Sequence, residues 1–227
     1  KKYRFRPNDG AGDATVEATW DRVATALAEA EPAKLRGRWR ARFRDALEDY
    51  RFLPAGRILA GAGTGRAVTL FNCFVMGTVP DDLDGIFLHL REAAVTMQQG
   101  GGVGMDFSTV RPSGAPVKGV GAEASGPLSF MDVWDSMCRT IMSAGQRRGA
   151  MMGCLRIDHP DIEAFIDWKV REEIKVAAMV EGLKALPETQ REAARRTDIQ
   201  LDYDFNGEAY ATVSGQNSNN SVRVTDA

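Results

Sequence analysis

Apolar positions in the first fifty residues recur three and four apart. Val16, Trp20, Val23, Ala24 and Leu27 share one face of a helix capped by Asp13-Ala14-Thr15. Trp39, Phe43, Leu47 and Tyr50 repeat the spacing in a second helix, rich in arginine on its other face. Residues 52–61 read as a loop with a short apolar segment. The period then changes. Leu70-Phe71-Asn72-Cys73-Phe74-Val75-Met76 is a short run of β-branched and aromatic residues between a glycine-rich turn (61–65) and Gly77, which predicts a buried strand. Asp81-Asp82-Leu83-Asp84 starts a helix, acids suiting its positive end, with Ile86, Phe87, Leu90, Ala93, Ala94 and Met97 as the buried stripe. It ends at Gly100-Gly101-Gly102-Val103-Gly104, followed by strand-like Met105-Asp106-Phe107.

A third strong helix begins near Ser129 and carries Phe130, Val133, Trp134, Met137 and Ile141. Residues 143–153 read as a basic, glycine-punctuated loop, and Cys154-Leu155-Arg156-Ile157 as a strand. Pro160 opens a helix through Ile162, Phe165, Ile166 and Trp168. Residues 182–206 are polar with weak periodicity, and the tail ends in strand-like alternation. Strands alternating with helices predict an α/β domain with a partly parallel sheet.

Composition narrows the class. The 227 residues are 44% hydrophobic and 26% charged with a net charge of -2, which fits a soluble globular protein of one large or two small domains. No apolar run approaches a membrane span, and the start lacks the core of a signal peptide. The near-neutral balance argues against general nucleic-acid binding. Cys73, Cys138 and Cys154 are too few and scattered for a disulfide framework, and none has metal-ligand spacing to His89 or His159. The expected compartment is the reducing cytoplasm.

On local chemistry alone, Cys73 reads as a small core hydrophobe. The glycines of 100–104 exceed what a helix cap needs and suit a backbone that approaches a ligand closely, but they follow a helix and so make no dinucleotide fingerprint. Gln146-Arg147-Arg148-Gly149 is either a mobile surface loop or a phosphate- or base-reading one. Asp158-His159-Pro160-Asp161 reads as helix-start punctuation with Asp158 as N-cap.

Taken in order, segments of the chain resemble the catalytic subunit of ribonucleotide reductases, in wording closest to the adenosylcobalamin-dependent class II branch. They are the stretches 54–63 (Pro-Ala-Gly-Arg-Ile-Leu-Ala-Gly-Ala-Gly), Asn72-Cys73, 100–106, Val110-Arg111-Pro112-Ser113-Gly114, Ser125-Gly126-Pro127-Leu128-Ser129-Phe130-Met131, Arg147-Arg148-Gly149-Ala150-Met151-Met152, Asp158-His159-Pro160-Asp161-Ile162 and Asn219-Asn220-Ser221-Val222-Arg223-Val224. The resemblance implies a ten-stranded α/β barrel of which this chain is the first half: residues 1–60 an N-terminal helical region, residues 61–227 the barrel half. It implies that Cys73 is one of two thiols that reduce the ribose 2′ position and end as a disulfide. It places Asn72, Gly101 and Gly102 at the substrate ribose, and Gly56 where some relatives have a threonine touching substrate. Asp81, Asp82 and Arg111 fall near the site for a dNTP or ATP effector, and residues 143–152 in the loop that relays effector identity to the substrate pocket, with Arg148 as the relay and as a substrate-binding residue.

The implied partners are a ribonucleotide substrate, a thioredoxin-type reductant, a second copy in a homodimer and the C-terminal half of the enzyme. The radical-bearing Asn-x-Cys-x-Glu segment, the second redox cysteine and most adenosylcobalamin contacts are absent from this sequence, nor does its start look like an ATP-cone. The expectation is therefore a fragment inactive alone, with Cys138 and Cys154 as core residues. The rival expectation is a degenerate or regulatory dNTP-binding module without catalysis.

Overall fold

The computed structural model describes residues 3–7, 12–119, 121–143, 147–197, 203–204 and 207–225. The chain divides into two compact units, one of Lys1–Phe74 with Gln98–Gly102, the other of Val75–Met97 with Val103–Ala227.

The first unit is helical. Helix α1 (Val16–Ala28) starts at Thr15, whose hydroxyl accepts from the Ala18 N–H at 3.2 Å. Its buried face, Trp20, Val23 and Ala24, packs with Leu47 at the end of α2 (Arg36–Leu47) and with Ala62. Tyr50, expected on the second helix, instead lies beyond its end at Leu47 with a φ of 58°, and meets Trp20 edge-on at 5.3 Å. The expected loop at residues 52–61 contains a short helix, α3 (Gly56–Gly61). Its Ile58 and Leu59 have this core to pack on, and the loop reading gave that no weight.

The second unit is α/β. Its elements are β1 (Cys73–Thr78) and β2 (Gly102–Asp106), whose opening residues Cys73, Phe74 and Gly102 belong to the first unit, α4 (Leu83–Gln98) between them, a small hairpin of β3 (Pro116–Val117) and β4 (Ala122–Glu123), α5 (Gly126–Thr140), a second hairpin of β5 (Met142–Ser143) and β6 (Arg147–Arg148), β7 (Met151–Arg156), α6 (Ile162–Lys184), α7 (Glu188–Arg196), α8 (Glu208–Ala211) and β8 (Ser218–Arg223). The main sheet runs β1-β2-β7-β8, each strand beside its predecessor. β2 and β7 are parallel, with Met105 opposite Gly153, and β7 and β8 are parallel, with Cys154 opposite Ser221. This is the α/β fold with an N-terminal helical segment that the alternation predicts.

Helices cover one face of the sheet. Val103, Met105, Met151 and Leu155 point into a core with Ile86, Ala93 and Met97 of α4, Met131, Trp134 and Cys138 of α5, and Phe165 and Trp168 of α6. The alternate residues are more open: Met152 and Arg156 are exposed, while Gly104, Asp106 and Cys154 are half-buried. That one-sidedness overturns the buried-strand reading around Cys73: β1 lies at the sheet edge, Cys73 is exposed, and Val75 is 95% exposed. Continuous hydrophobicity signals two covered faces, and here only one is covered.

The stripes need smaller corrections. Phe87, Val133 and Ile166 are exposed, because each helix buries only the residues facing the sheet. Helix α5 begins at Gly126, with Pro127 in its first turn, rather than near Ser129. Helix α6 continues past Trp168 to Lys184, and the 182–206 stretch holds α7, a charged helix whose ion pairs (Glu188 with Arg191 and Arg195) replace an apolar stripe. The N-cap of α6 is Asp161, not Asp158, whose carboxylate instead takes Arg156 at 2.8 Å. His159 is buried in that turn, one ring nitrogen 2.9 Å from the Val110 carbonyl and the other accepting the Asp161 N–H. The expected basic loop at residues 143–153 is partly strand, in β6 and β7. Among the described residues no helix is long and apolar enough to cross a membrane.

Candidate functional site

Of the residues expected at substrate, Gly56, Asn72, Cys73, Gly101 and Gly102 fall in the first unit and Arg148 in the second. The Asn72 carbonyl accepts the Gly102 N–H at 2.8 Å, so the Asn72-Cys73 corner is fixed against the glycine run by backbone alone. One register earlier, Thr69 N–H donates to the Gln99 carbonyl at 2.9 Å, and the Thr69 hydroxyl accepts the Phe71 N–H. Gly100 between these rungs has a φ of 101°, a conformation that glycine adopts without strain. Gly101 is buried, while Asn72 and Cys73 are exposed. The result is a thiol in solvent, held by main-chain hydrogen bonds beside a strip of backbone with no side chains. A sugar can approach such a surface closely.

Gly56 opens α3 with the Tyr3 ring against it: a Cβ there would stand 3.0 Å from the Tyr3 hydroxyl oxygen. Sequence reasoning missed Tyr3, since only the fold brings residue 3 to residue 56. The segment bearing Tyr3 is fastened at Phe5, whose carbonyl accepts the Asp13 N–H and whose own N–H donates to the Asp13 carboxylate.

The residues expected at an effector fall in the second unit. Asp81 and Arg111 form an ion pair at 2.9 Å, and the Arg111 backbone N–H also donates to Asp81. Asp82 caps α4, its carboxylate accepting the Gly85 N–H at 2.7 Å. The fold therefore unites Asp81 with Arg111 and gives Asp82 a structural duty. Arg148 pairs through its backbone with Met142 in the β5–β6 hairpin, and its side chain lies outside the described residues, as do residues 144–146 of the expected relay loop.

The other two thiols differ from Cys73. Cys138 is buried 3.6 Å from the Met97 sulfur, and burial, with Asp135 nearby, pushes its thiol up to about 12. Cys154 is half-buried, and burial, with Asp106 beside it, pushes its thiol up as well. Two carboxylate groups escaped sequence reasoning. At the carboxyl ends of β2 and β8, Asp106 meets Arg223 at 2.7 Å. Burial raises its pKa, but hydrogen bonds from Ser108 and Arg223 outweigh burial and hold the carboxyl below its usual range. On α5, burial pushes Asp132 up, helped by Glu172 and Asp135; neighbouring Asp135 takes the Asn217 N–H at 2.8 Å. Strand ends signal the first group; nothing in the sequence signals the second. Among the described residues no cluster of three or more histidine, cysteine or acidic side chains is arranged to hold a metal ion.

The family described as ribonucleotide reductase, barrel domain, matches residues 71–227, and that described as ribonucleotide reductase, all-alpha domain, matches residues 1–67. The chain is similar to the vitamin B12-dependent ribonucleoside-diphosphate reductase of Mycobacterium tuberculosis (strain CDC 1551 / Oshkosh), 38% identical over 173 residues, 74% of this chain and 25% of that protein. The vitamin B12-dependent ribonucleotide reductase of Bradyrhizobium diazoefficiens is 39% identical over 210 residues, 68% of this chain and 16% of its own length. That of Rhodopirellula baltica is 40% identical over 155 residues, 68% of this chain and 13% of its own length. The chain thus spans a quarter or less of the curated relatives it matches. With one family pattern falling on the helical segment and the other on the α/β segment, the chain belongs to the ribonucleotide reductase family.

Proposed function

We propose that this chain is the N-terminal part of an adenosylcobalamin-dependent ribonucleotide reductase, with residues 1–60 as its helical region and 61–227 as the first half of its barrel. The observation that carries the reading is the exposed Cys73 thiol beside the Asn72–Gly102 backbone bond. A core cysteine has no reason to face solvent, whereas a thiol that reduces a sugar must.

In this reading Asn72, Gly101 and Gly102 receive the ribose through backbone groups, with Gly56 at the edge of that surface. The 2′-hydroxyl leaves as water while two thiols become one disulfide, which balances two electrons and two protons. Cys73 is one of the two. The second comes from the remainder of the enzyme, because Cys138 is buried in the core against the Met97 sulfur and Cys154 is half-buried on β7. A thioredoxin-type protein re-reduces the pair in the cytoplasm. Asp81, Asp82 and Arg111 hold a dNTP or ATP effector in a homodimer, and Arg148 passes its identity to the substrate.

His159 is buried with both ring nitrogens engaged, and His89 turns Nδ1 to the Gly85 carbonyl of its own helix. Most of the contacts to adenosylcobalamin fall to the remainder of the enzyme.

The test is a single-turnover experiment on the complete enzyme with ribonucleotide, adenosylcobalamin and no external reductant. Cys73 should become resistant to alkylation in step with product formation, and dithiol should restore its reactivity. Product forming while Cys73 stays alkylatable would remove it from the redox pair.

A further inference from the structure

The arginines of α2 stand against the electrostatics of the helix that carries them. Between Ala33 and Arg44 the sequence holds Lys34, Arg36, Arg38, Arg40, Arg42 and Arg44 and no acidic residue. The N-terminus of a helix is its positive pole and favours carboxylates. α2 has no acidic residue in its first turn and places Arg36 and Arg38 there. Arg36 and Arg40, Arg38 and Arg42, and Arg40 and Arg44 are each four apart, so like charges are neighbours along the helix. Gly37 weakens the same turn. Several local rules broken together on one exposed face indicate a surface kept for something other than stability.

Among the described residues, Arg44 is the one of these cations that finds a carboxylate. Arg44 lies 2.9 Å from Asp21 and 3.7 Å from Glu48, with its guanidinium over the Trp20 ring. Arg36 donates to the Glu31 carbonyl at 3.1 Å, and Arg42 lies over Trp39 at 5.1 Å. Lys34, Arg36, Arg38, Arg40 and Arg42 are all exposed, and no described carboxylate pairs with any of them. Trp39 stacks on Phe43 at 5.5 Å and settles which side of the helix faces inward.

We propose that the exposed face of α2 is a docking surface for a short acidic polypeptide segment of a partner protein. All but one of the cations are arginines, whose planar fork matches a carboxylate bidentately. A helix of 12 residues spans about 18 Å, enough for a few turns of an acid-rich segment. The near-neutral balance of the whole sequence, 29 basic residues against 31 acidic ones, argues against a general binder of long polyanions.

The experiment titrates the chain into a fluorescein-labelled glutamate–alanine peptide of about sixteen residues, with a lysine–alanine peptide and single-stranded oligo-dT as comparators. Fluorescence anisotropy should rise saturably for the glutamate peptide alone, and the affinity should fall as added salt shortens the screening length. The double variant R38E/R42E should bind about tenfold more weakly, while K118E, on an exposed residue of the other unit, should bind as the parent does. R38A/R42A should lose binding with its thermal midpoint unchanged or raised, because it relieves like-charge contacts; a purely structural role would lower the midpoint. The proposal fails if the glutamate peptide does not saturate, if oligo-dT binds more tightly, or if R38E/R42E binds like the parent.

Discussion

At Asp13 a single carboxylate ties together three pieces of the first unit. It accepts the Phe5 N–H at 3.0 Å, the Thr19 hydroxyl at 2.8 Å and the Arg22 guanidinium at 2.9 Å, with both charged side chains almost wholly buried. Arg22 also donates to the Leu59 carbonyl at 2.9 Å and to that of Ala62. Burial pushes the Asp13 carboxyl up, but the Arg22, Phe5 and Thr19 hydrogen bonds outweigh it and hold the group below its usual value. Removing one partner of such a pair strands the other, so Asp13→Ala should destabilise the chain by about 3 kcal/mol in urea unfolding. A loss of less than about 1 kcal/mol would show that Arg22 finds other support. The sign of the pH effect follows from the lowered pKa: this contribution is present above the unfolded carboxylate's titration and is lost as pH falls through the folded one. Asp13→Ala should therefore flatten the acid limb of the stability curve.

At the scale of elements, the hairpin of β5 and β6 sits where an effector relay is expected. Gly149, just after it, donates its N–H to the Cys138 and Ile141 carbonyls at 3.1 Å, and a Cβ there would meet the Cys138 carbonyl oxygen at 3.1 Å. The hairpin's end is thus pinned to the end of α5. In a complete enzyme Arg148→Ala should blunt the change in substrate preference between two effectors more than it lowers effector affinity. The measurement is effector affinity alongside the turnover ratio of two substrates; an unchanged ratio removes Arg148 from the relay. These elements also show what the sequence made legible. Helices α1, α4, α5 and α6 were readable because each buries a periodic face against one core. The exposure of β1 was not, since a one-sided sheet leaves no mark on a run that is hydrophobic at successive positions. Helix α7 went unseen because its salt bridges have no apolar period, and the pairing of Asp81 with Arg111, thirty residues apart, is set by tertiary structure. The Asn72-Cys73 corner was legible as chemistry, through resemblance, before it was legible as geometry.

Across the whole molecule, the residues proposed at the ribose lie in one compact unit and those proposed for effector in the other. Such a division makes communication between units the expected route of regulation, since an effector acts only through differential contacts with alternative states. It also sets a limit on the isolated chain. With ribonucleotide, adenosylcobalamin and dithiol, the purified 227 residues should yield no deoxyribonucleotide, and product from them alone would mean that a second thiol and a radical source reside here after all.

The sheet order β1-β2-β7-β8 leaves a strand at each margin, and β1 carries Val75 at 95% exposure, with Phe71, just before the strand, at 71%. A marginal strand presents unpaired N–H and C=O groups that a second extended chain can zip onto. For anyone handling the isolated protein, the practical result is a concentration ceiling. Solubility should give out through strand addition along this margin, and a lysine placed at Val75 should raise the ceiling without touching the core.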